Sequence, residues 1–591
     1  MTMKRFLLFV AVCCVGLVYA EAPYNSGGVF ILNEDWYGHN NSTMNHLSIN
    51  GEWSYRIIQA ENQDTHYSLG CTAQYAAIYG GRMYIISKQA QDPGEGTNSQ
   101  WRGGRVVCVD AKTMKVQYSI ENIFTINGQS AADGRSFVGV DENKGYVGTS
   151  NGIFVLDLQA GTIGKRIAGT ENPLITGDEK NSDGAGPLYQ NQIGMMIRAY
   201  DYVFAIQQDK GIHIINPETD EVITTISGCF STMTQSKDGR IWAARNTNKD
   251  AQTYPYGVLS GEEWQGNELL CIDPRTLEQT PVNIAAISGN EDLIVEQTWY
   301  AWTAGSLCAA TQENALYWSF TENIFDWYNG RTHVYKYDID NNSINEIFDT
   351  ATKGDYYIYN SGSVRVSPHG GNIYIGCFKN NVSSNNWVFF QIKPDGTFVG
   401  SYTPIKNYWY PALFVFPDMA KPTVKNFTSA TINGGQTVGI PLGDMASDRD
   451  HIAAAITKRV ISVSDPTAVQ AVVRRDTLWV TALANEDKQA SVVVRFNSNG
   501  QTADKTLAVD IQYVATNITH AEEQPISRIS ATEGGIVVML SEAVEQAQVS
   551  VFDVMGRLLM TQTGKGDMYL PLAPGMYIVR AGRQTQCVVV R

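Results

Sequence analysis

The chain has 591 residues, too many for one compact domain, and this length predicts about three or four structural units. Its 44 Lys and Arg against 59 Asp and Glu give a formal net charge of −15, which argues against nucleic-acid binding because phosphate recognition needs a basic face. With 53 Gly, 10% aromatic and only 17% charged residues, the composition favours many short strands joined by turns.

The first residues have the pattern of a secretory signal peptide. Lys4 and Arg5 precede an apolar run that ends at the small residue Ala20, and the run is too short to span a bilayer. Residues 1–20 are therefore predicted to be cleaved. We expect the mature protein to be exported through the periplasm to the cell surface or the extracellular space.

Seven cysteines remain after the predicted cleavage, an odd number spread over most of the chain without a CxxC pair. Neither a disulfide framework nor a zinc site fits this distribution. The favoured interpretation is that they are small buried apolar side chains on strands.

An internal repeat predicts the architecture of the first two thirds of the chain. Each copy has an apolar strand ending near an Asp or Asn, a turn and a second strand; the copies lie at 44–58, 106–120, 153–167, 212–226, 269–284, 334–348 and 389–402. A further pair of strands around a Gly-centred turn precedes most copies, as at 73–87, 233–245 and 364–378. Four antiparallel strands per repeat are typical of a β-propeller blade.

The ends of this region are expected to complete each other. The first copy follows a strand at 27–34 but lacks the strand before it, and an unassigned strand occurs after the seventh copy at 410–418. If the two strands pair, they close the ring and remove its exposed edges. The sequence therefore predicts a seven-bladed β-propeller over residues 23–418.

The repeat phrase resembles that of YVTN-type propellers. The opening GGVFILNEDWYGHNNSTMNHLSI, with YAAIYGGRMYIISK after it, is similar to a narrower group of surface propellers from Bacteroidota-type bacteria. That group includes surface cobalamin-capture proteins that sit beside outer-membrane transporters. The resemblance implies the fold over 23–418, a corrinoid-like molecule as one ligand class, and an outer-membrane transporter as one possible partner.

Residues 420–515 carry short alternating strands separated by turn clusters such as Asn497-Ser498-Asn499-Gly500. This segment resembles the Ig-like or cadherin-like β-sandwiches of many surface proteins, and residues 516–526 are predicted to be a polar linker. Asp448-Arg449-Asp450 matches a calcium-binding DxD element, but a solvated loop is the favoured interpretation. No cofactor is predicted, with calcium as the open alternative.

The final segment, 527–591, contains VSVFDVMGRLLMTQT and LPLAPGMYIVRAGR. These motifs resemble the C-terminal sorting domain of the type IX secretion system, a small β-sandwich. The resemblance implies that type IX machinery carries the chain across the outer membrane; an ordinary terminal sandwich is the alternative. Gly556 and Gly575 are expected in tight turns. The predicted sorting-motif residues are Asp553, Gly556, Arg557, Pro574, Gly575 and Tyr577.

The predicted long loops of the propeller share one face and contain most of the unusual aromatic residues. Aromatic side chains with a polar tip suit a large, flat or sugar-like ligand, although some are expected to pack the loops together. The predicted ligand-binding residues are Trp36, Tyr37, Trp101, Tyr256, Trp264, Trp299, Trp302, Trp327, Tyr357 and Trp409.

The sequence favours binding over catalysis. Its eight His form no HExxH motif and none adjoins a Gly-x-Ser-x-Gly elbow, so no catalytic or metal-binding residue is predicted. The leading hypothesis is a surface protein that captures a ligand, either a corrinoid-like nutrient or a glycan. The alternatives are an extracellular lyase or hydrolase with a site assembled from several blades, or an adhesive or structural surface protein.

Overall fold

The structure is a computed structural model. It describes residues 24, 27–95, 100–175, 191–208, 210–245, 266–295, 304–320, 331–359, 362–380, 385–513, 528–540, 546–582 and 584–591. The predicted signal peptide and the predicted linker lie outside these residues. By its internal contacts the chain divides into two compact units, Met1–Tyr513 and Val514–Arg591.

Residues 27–417, here called the repeat region, are built almost entirely from antiparallel sheets, as the all-β prediction required. In chain order the sheets contain Val29–Asn33, Thr43–Leu47, Trp53–Ser54 and Pro411–Val415; Cys71–Tyr79, Arg82–Gln89, Val106–Asp110 and Val116–Ile120; Gly134–Gly139, Lys144–Thr149, Gly152–Asp157 and Thr162–Arg166; Ile193–Ala199, Tyr202–Gln207, Gly211–Asn216 and Glu221–Ser227; Phe230–Gln235, Ile241–Arg245, Glu268–Ile272 and Gln279–Asn283; Cys308–Ala309, Ala315–Phe320, His333–Asp338 and Ser343–Asp349; and Tyr356–Ile358, Val364–Val366, Ile373–Lys379, Trp387–Ile392 and Phe398–Tyr402. A short hairpin joins Thr125–Ile126 to Gln129–Ser130.

Burial changes from strand to strand within a sheet. The third strand of the fourth sheet, Gly211–Asn216, is buried along almost its whole length, whereas the fourth strand, Glu221–Ser227, is largely exposed. A strand covered on both faces reads as a continuous apolar run, and an outer strand needs polar residues against water. This gradient explains why the apolar run in each repeat precedes a more polar strand.

The first sheet joins the two ends of the repeat region. Val29–Asn33 pairs antiparallel with Pro411–Val415, with Phe30 opposite Val415 and Leu32 opposite Leu413. This pairing confirms the prediction that the strand after the last copy completes the first sheet.

One strand of each sheet also packs against a strand of the next sheet. Cys71–Tyr79 contacts Pro411–Val415 on one side and Gly134–Gly139 on the other, and the contacts continue from sheet to sheet as far as Val364–Val366. Gly362 N then donates to Ala412 O (2.9 Å), which brings the last sheet beside the first.

The second part of the first unit is a sandwich of two sheets around one apolar core that includes Leu478, Val492 and Leu507. One sheet contains Ala430–Asn433, Thr457–Val463, Lys488–Ser498 and Gln501–Gln512, and the other contains Thr437–Pro441, Val469–Arg474 and Thr477–Ala482; Thr423–Val424 pairs separately with Ala446–Ser447. We call residues 423–512 the sandwich. Whether it is Ig-like stays a prediction.

Short helices connect the strands of the first unit. The α-helices are Ile57–Glu61 and Ile284–Ser288, and the 3-10 helices are Pro93–Glu95, Thr350–Lys353, Gly443–Met445 and Ala453–Ala455. Asn283 caps the second α-helix, because its side chain accepts a hydrogen bond from Ala286 N (2.9 Å).

The sandwich docks on the turns that join the first and second strands of the repeat sheets. Gly80 N donates to Asn499 O (2.8 Å), and Asn499 Nδ2 donates to Ile78 O (2.9 Å). Arg495 Nη1 donates to Glu142 Oε1 (2.6 Å), and Arg459 pairs with the same carboxylate. This side of the repeat region is therefore covered by the chain's own sandwich.

Two histidines and buried carboxylates lie where the repeat region continues into the sandwich. Met419 N and Ala420 N donate to Asp450 Oδ2 (2.5 and 2.7 Å), and His369 Nδ1 lies 3.4 Å from Asp450 Oδ1. Asp450 is only 4% exposed. The prediction of a solvated loop is therefore wrong for Asp450, because this buried carboxylate accepts hydrogen bonds from the backbone that joins the repeat region to the sandwich.

His451 gives this junction a pH dependence. Burial opposes its charged form, but the ion pair with Asp418 (Nε2 to Oδ2 3.6 Å) and attraction by Asp448 and Asp450 outweigh burial, so the pKa of His451 is raised. The stabilisation is present below the ordinary histidine pKa of about 6.5 and is lost as pH rises through the raised value. The pKa of Asp418, by contrast, is lowered. The stability that this carboxylate contributes is therefore lost only as pH falls through the lowered value.

We expect His451→Gln to reduce the free energy of unfolding more at about pH 6 than at about pH 9. All 12 Trp belong to the first unit, so urea unfolding of the full chain followed by Trp fluorescence reports this unit. His39→Gln, which removes an exposed imidazole, is the control. An equal loss for His451→Gln at both pH values would contradict the prediction.

The second unit has its own two sheets and its own core, which includes Val538, Val551 and Val579. The sheets contain Arg528–Thr532, Gly535–Met539 and Met568–Pro571, and Ala547–Asp553, Leu558–Gly564, Gly575–Ala581 and Gln584–Val590.

Both sorting-motif glycines lie beside strands of this unit, but only one is in a turn that needs glycine. Asp553 Oδ1 accepts hydrogen bonds from Met555 N (3.0 Å) and Arg557 N (2.9 Å), and Gly556 has φ +81 within this turn. The turn prediction for Gly575 is wrong, because this residue begins a strand and is absent from the residues with positive φ. Tyr577 OH instead donates to Ala573 O (2.9 Å) and fixes the bend before that strand.

The cysteine prediction also needs one correction. Cys71, Cys108, Cys229, Cys271, Cys308 and Cys377 are buried free thiols, as predicted. Cys587 is exposed, because it lies on the outward face of a sheet that is covered on its other face only.

Candidate functional site

A polar pocket opens between the first and second sheets, at the ends of the strands opposite the sandwich. Its volume is about 500 Å³. It is lined by Asn40, Asn41, Thr43, Arg56, Gln59, Ala60, Gln63, His66, Glu95, Gln100 and Trp101. We call it the amide pocket, because side-chain amides contribute five of these eleven residues.

The short helix Ile57–Glu61 positions one wall of the pocket. Ile57 and Ile58 are fully buried in the core, so the helix presents Gln59 and Ala60 to the pocket. Among the described residues, none donates a hydrogen bond to the side-chain oxygen of Gln59, which is itself buried. The part of this side chain that lines the pocket is available to a ligand, and its amide can hydrogen-bond to a hydroxyl group there.

The opposite wall is held by Asp92, which is 1% exposed. Its carboxylate accepts hydrogen bonds from Gly38 N (2.9 Å) and Gly94 N (2.6 Å), and its own backbone N–H donates to Asn41 Oδ1 (2.8 Å). Glu95 Oε1 accepts from Asn41 N (3.1 Å). These bonds pre-organise the two loops that carry Asn40 and Glu95.

Trp101 and His66 form the aromatic part of the lining, with ring centroids 5.7 Å apart in an edge-to-face arrangement. Arg56 also lines the pocket, and its guanidinium is 5.7 Å from the Tyr408 ring centroid. The pocket therefore combines one indole with neutral donors and acceptors and few charges.

Two acidic residues with raised pKa lie behind the pocket. Asp35 is 1% exposed, and burial raises its pKa to about 7 despite hydrogen bonds from Thr43 (2.6 Å) and Trp409 N (3.2 Å). Burial likewise raises the pKa of Glu34 to about 7, and Gln74 donates to this carboxyl (2.5 Å).

The structure separates the predicted ligand-binding aromatics. Trp101 lines the amide pocket, whereas Trp36 and Trp409 form a neighbouring pair with ring centroids 5.7 Å apart. Trp36 and Tyr37 are 38% and 41% exposed. Tyr357 packs on Phe378 in another cluster, 5.8 Å between centroids. Tyr256, Trp264, Trp299, Trp302 and Trp327 lie outside the described residues.

Sequence reasoning missed the polar members of the pocket, above all Arg56, Gln59 and Gln63. A surface Gln is ordinary in any protein, so composition gives no signal for it. The one available signal was local: Gln59 and Gln63 follow two isoleucines that would anchor a short helix, which places both amides on its opposite side.

Within the described ranges, no group of three or more His, Cys, Asp or Glu side chains is arranged to hold a metal ion. No helix in the same ranges is long and apolar enough to cross a membrane.

The fold and the site define an all-β protein of repeated four-stranded antiparallel sheets with a polar pocket at one edge. Residues 27–417 match the family of domains of unknown function DUF5074, and the chain belongs to that family. No curated protein sequence matches the chain significantly.

Several solved structures show a weak likeness. A quinonprotein alcohol dehydrogenase-like protein from Bacteroides thetaiotaomicron has 12% identity over 67% of this chain and 79% of its own, with a TM-score of 0.42. The GH74 enzyme of Niastella koreensis has 10% identity over 96% and 73%, with a TM-score of 0.35. Likenesses of this size carry no argument about what this chain binds or catalyses.

Proposed function

We propose that the protein is an exported surface binding protein whose residues 23–418 form a seven-bladed β-propeller, and that its ligand is a glycan held in the amide pocket. The observation that carries this proposal is the lining of the pocket, in which five side-chain amides and one indole enclose a volume of about 500 Å³. Amides hydrogen-bond to hydroxyl groups as donors and acceptors, and an indole packs against the apolar face of a sugar ring.

The pocket favours a glycan over a corrinoid. Its volume is in the range of sites for small ligands, and the polar lining has few apolar residues to cover a large macrocycle. The five amides of the lining can donate and accept hydrogen bonds, and sugar hydroxyls do both on every side of the ring. A corrinoid-like nutrient, with a transporter as partner, remains the alternative ligand hypothesis.

The docked sandwich supports ligand entry from the loop side of the proposed ring. It occupies the turns near Gly80, Glu142 and Asp201, at the opposite ends of the strands from the amide pocket. A ligand anchored at the surface would therefore approach the loops that contain Trp36, Trp101 and Trp409.

Acid–base chemistry is a second candidate function, because Asp35 has a pKa near neutrality behind the pocket. Thr43 and Asn40 line the pocket and both hydrogen-bond to Asp35. A carboxyl that exchanges its proton near pH 7 is suited to general acid–base catalysis. If the protein is a hydrolase or lyase, Asp35→Asn should abolish release of reducing ends from a bound glycan; binding without any such release supports the first proposal.

We expect Trp101→Ala to weaken binding of a glycan identified on an array by roughly 3- to 10-fold, because stacking on an aromatic face is lost. Gln59→Leu, which removes one amide of the lining at similar volume, should also weaken binding. Titration calorimetry with the purified full chain measures both effects. Tyr513→Ala removes an exposed aromatic residue just after the last strand of the sandwich and is the control.

Two results would refute the proposed ligand or its site. Unchanged affinity in Trp101→Ala and Gln59→Leu would place the glycan elsewhere. Binding of cobalamin, together with an array that shows no signal, would replace the glycan by a corrinoid.

A further inference from the structure

The outward face of the three-stranded sheet of the sandwich carries an exposed tryptophan at its centre. Trp479 lies on the middle strand, opposite Gly439 on one neighbour and Val472 on the other. The side chains of Trp479 and Val472 are 45% and 38% exposed in the whole chain. An exposed indole at the centre of a sheet forgoes burial of one of the largest apolar side chains.

The indole of Trp479 reaches over the adjacent strand. A Cβ atom added to Gly439 would come within 2.9 Å of Trp479 Cζ3 and 3.1 Å of its Cη2, so the six-membered ring covers the bare backbone at Gly439. The side chain of Trp479 nevertheless keeps 45% of its surface exposed, and this part is available to a ligand. Any larger residue at position 439 would lift the ring from this position.

The side chains on one side of the indole are neutral and polar. Thr437 and Thr481 flank it on one side, with their hydroxyl oxygens 2.9 Å apart, and Gln470 continues the same row. On the other side the row holds the exposed Pro441, Thr477 and Arg474, and Arg474 is already paired with Glu218 of the repeat region (3.2 Å). We call Gly439, Val472, Trp479 and the row Thr437, Thr481 and Gln470 the Trp479 platform.

We propose that the Trp479 platform is a second carbohydrate-binding site, which takes one neutral pyranose ring of a glycan on the exposed face of Trp479. A pyranose offers C–H groups on its face, which suit the electron-rich indole, and hydroxyl groups at its edge, which reach Thr437, Thr481 and Gln470. The lack of an unpaired charge in the platform selects against an acidic or basic sugar.

The size of the platform argues for a sugar and against a protein partner. A specific protein interface buries about 800 Å² on each partner, whereas one aromatic side chain contributes about 150–250 Å². Only Val472 adds to the exposed apolar surface of the platform, and its other members are polar or glycine. One sugar ring matches this area, and a protein would have to bury the threonines and the glutamine around it.

The inference rests on the proposed function for its ligand class but uses a separate site. Its test is an array of cello-, malto-, manno- and xylo-hexasaccharides probed with the fluorescently labelled full chain. Trp479→Ala should lower the apparent affinity for at least one of them by roughly 3- to 10-fold, and Trp479→Tyr should restore part of it. Gly439→Ala should also weaken binding although Trp479 is still present, because the added methyl group displaces the ring.

Tyr513→Ala is the matched control, and urea unfolding of each variant checks that the sandwich is folded. Array signals that are the same in Trp479→Ala and in the unaltered chain would overturn the inference. A second contrary outcome is self-association in light scattering that requires Trp479, while the array signals do not depend on Trp479. That result would assign the platform to contact with a second copy of the chain and would also overturn the inference.

The two glycan proposals fail in different ways. Loss of all binding in Trp101→Ala with no effect of Trp479→Ala leaves the proposed function intact and removes the platform. The opposite pattern keeps the platform and removes the amide pocket as the site. An array without any signal removes both.

Discussion

Deletion of residues 527–591 should abolish surface display and leave the protein in the periplasm. The deleted segment belongs to a unit with its own core, so its loss should not unfold the first unit. If the Asp553–Arg557 turn and the strand from Gly575 form a type IX sorting signal, as their resemblance implies, the shortened chain lacks the feature that the secretion machinery reads. Protease accessibility on intact cells, beside periplasmic fractionation, measures the loss.

A point variant sharpens this experiment. Gly556→Val places a β-branched side chain at φ +81, a conformation that such residues rarely adopt, and should reduce surface display by distorting the turn. Val589→Thr, on an exposed strand position of the same unit, is its control. Surface display of the shortened chain at the level of the full chain would refute the sorting assignment.

The largest stability effect is expected for Trp318→Ala, at about 3–5 kcal/mol, because a large side chain is removed from a packed core. Trp318 is 0% exposed and belongs to a cluster with Trp242 and Tyr335. Its Nε1–H donates to Ile294 O (3.2 Å), so the variant also leaves a buried carbonyl without its donor. Urea unfolding of the full chain followed by Trp fluorescence gives the difference in free energy.

Trp318→Phe separates the two contributions. It keeps most of the packing but removes the hydrogen bond to Ile294 O, and should cost about 1–3 kcal/mol. Equal losses in the two variants would show that the hydrogen bond and not the packing dominates. A loss below about 1 kcal/mol in Trp318→Ala would contradict its place in the core.

Much of the repeat region could be predicted because its signals are local. Strand alternation and Gly- or Asp-centred turns are written within a few residues, and strands occur at every predicted copy, from Thr43–Leu47 to Phe398–Tyr402. Even the pairing of Val29–Asn33 with Pro411–Val415 followed from counting strands. The docking of the sandwich did not follow, because Glu142–Arg495 and Tyr79–Asn497 join residues with no local relation in the sequence.

The candidate site was less predictable for the same reason. Trp101 was found because aromatic residues in loops are conspicuous, whereas Gln59 and Asn40 have the composition of any surface. Asp450 was misread because a local DxD pattern does not reveal that Met419 and Ala420 pack against it. Trp479 was not among the predicted binding residues, because Gly439, which lies opposite it, belongs to a strand that is distant in the sequence.

The pairing of Val29–Asn33 with Pro411–Val415 has a consequence for the order of folding. A chain exported N-terminus first presents Val29–Asn33 long before its partner emerges, so this strand keeps an open edge while the intervening sheets form. The sandwich follows Pro411–Val415 in the sequence and docks on turns from several sheets, so it arrives last. We therefore expect the pairing of these two strands and the docking of the sandwich to be the late and slow steps of assembly.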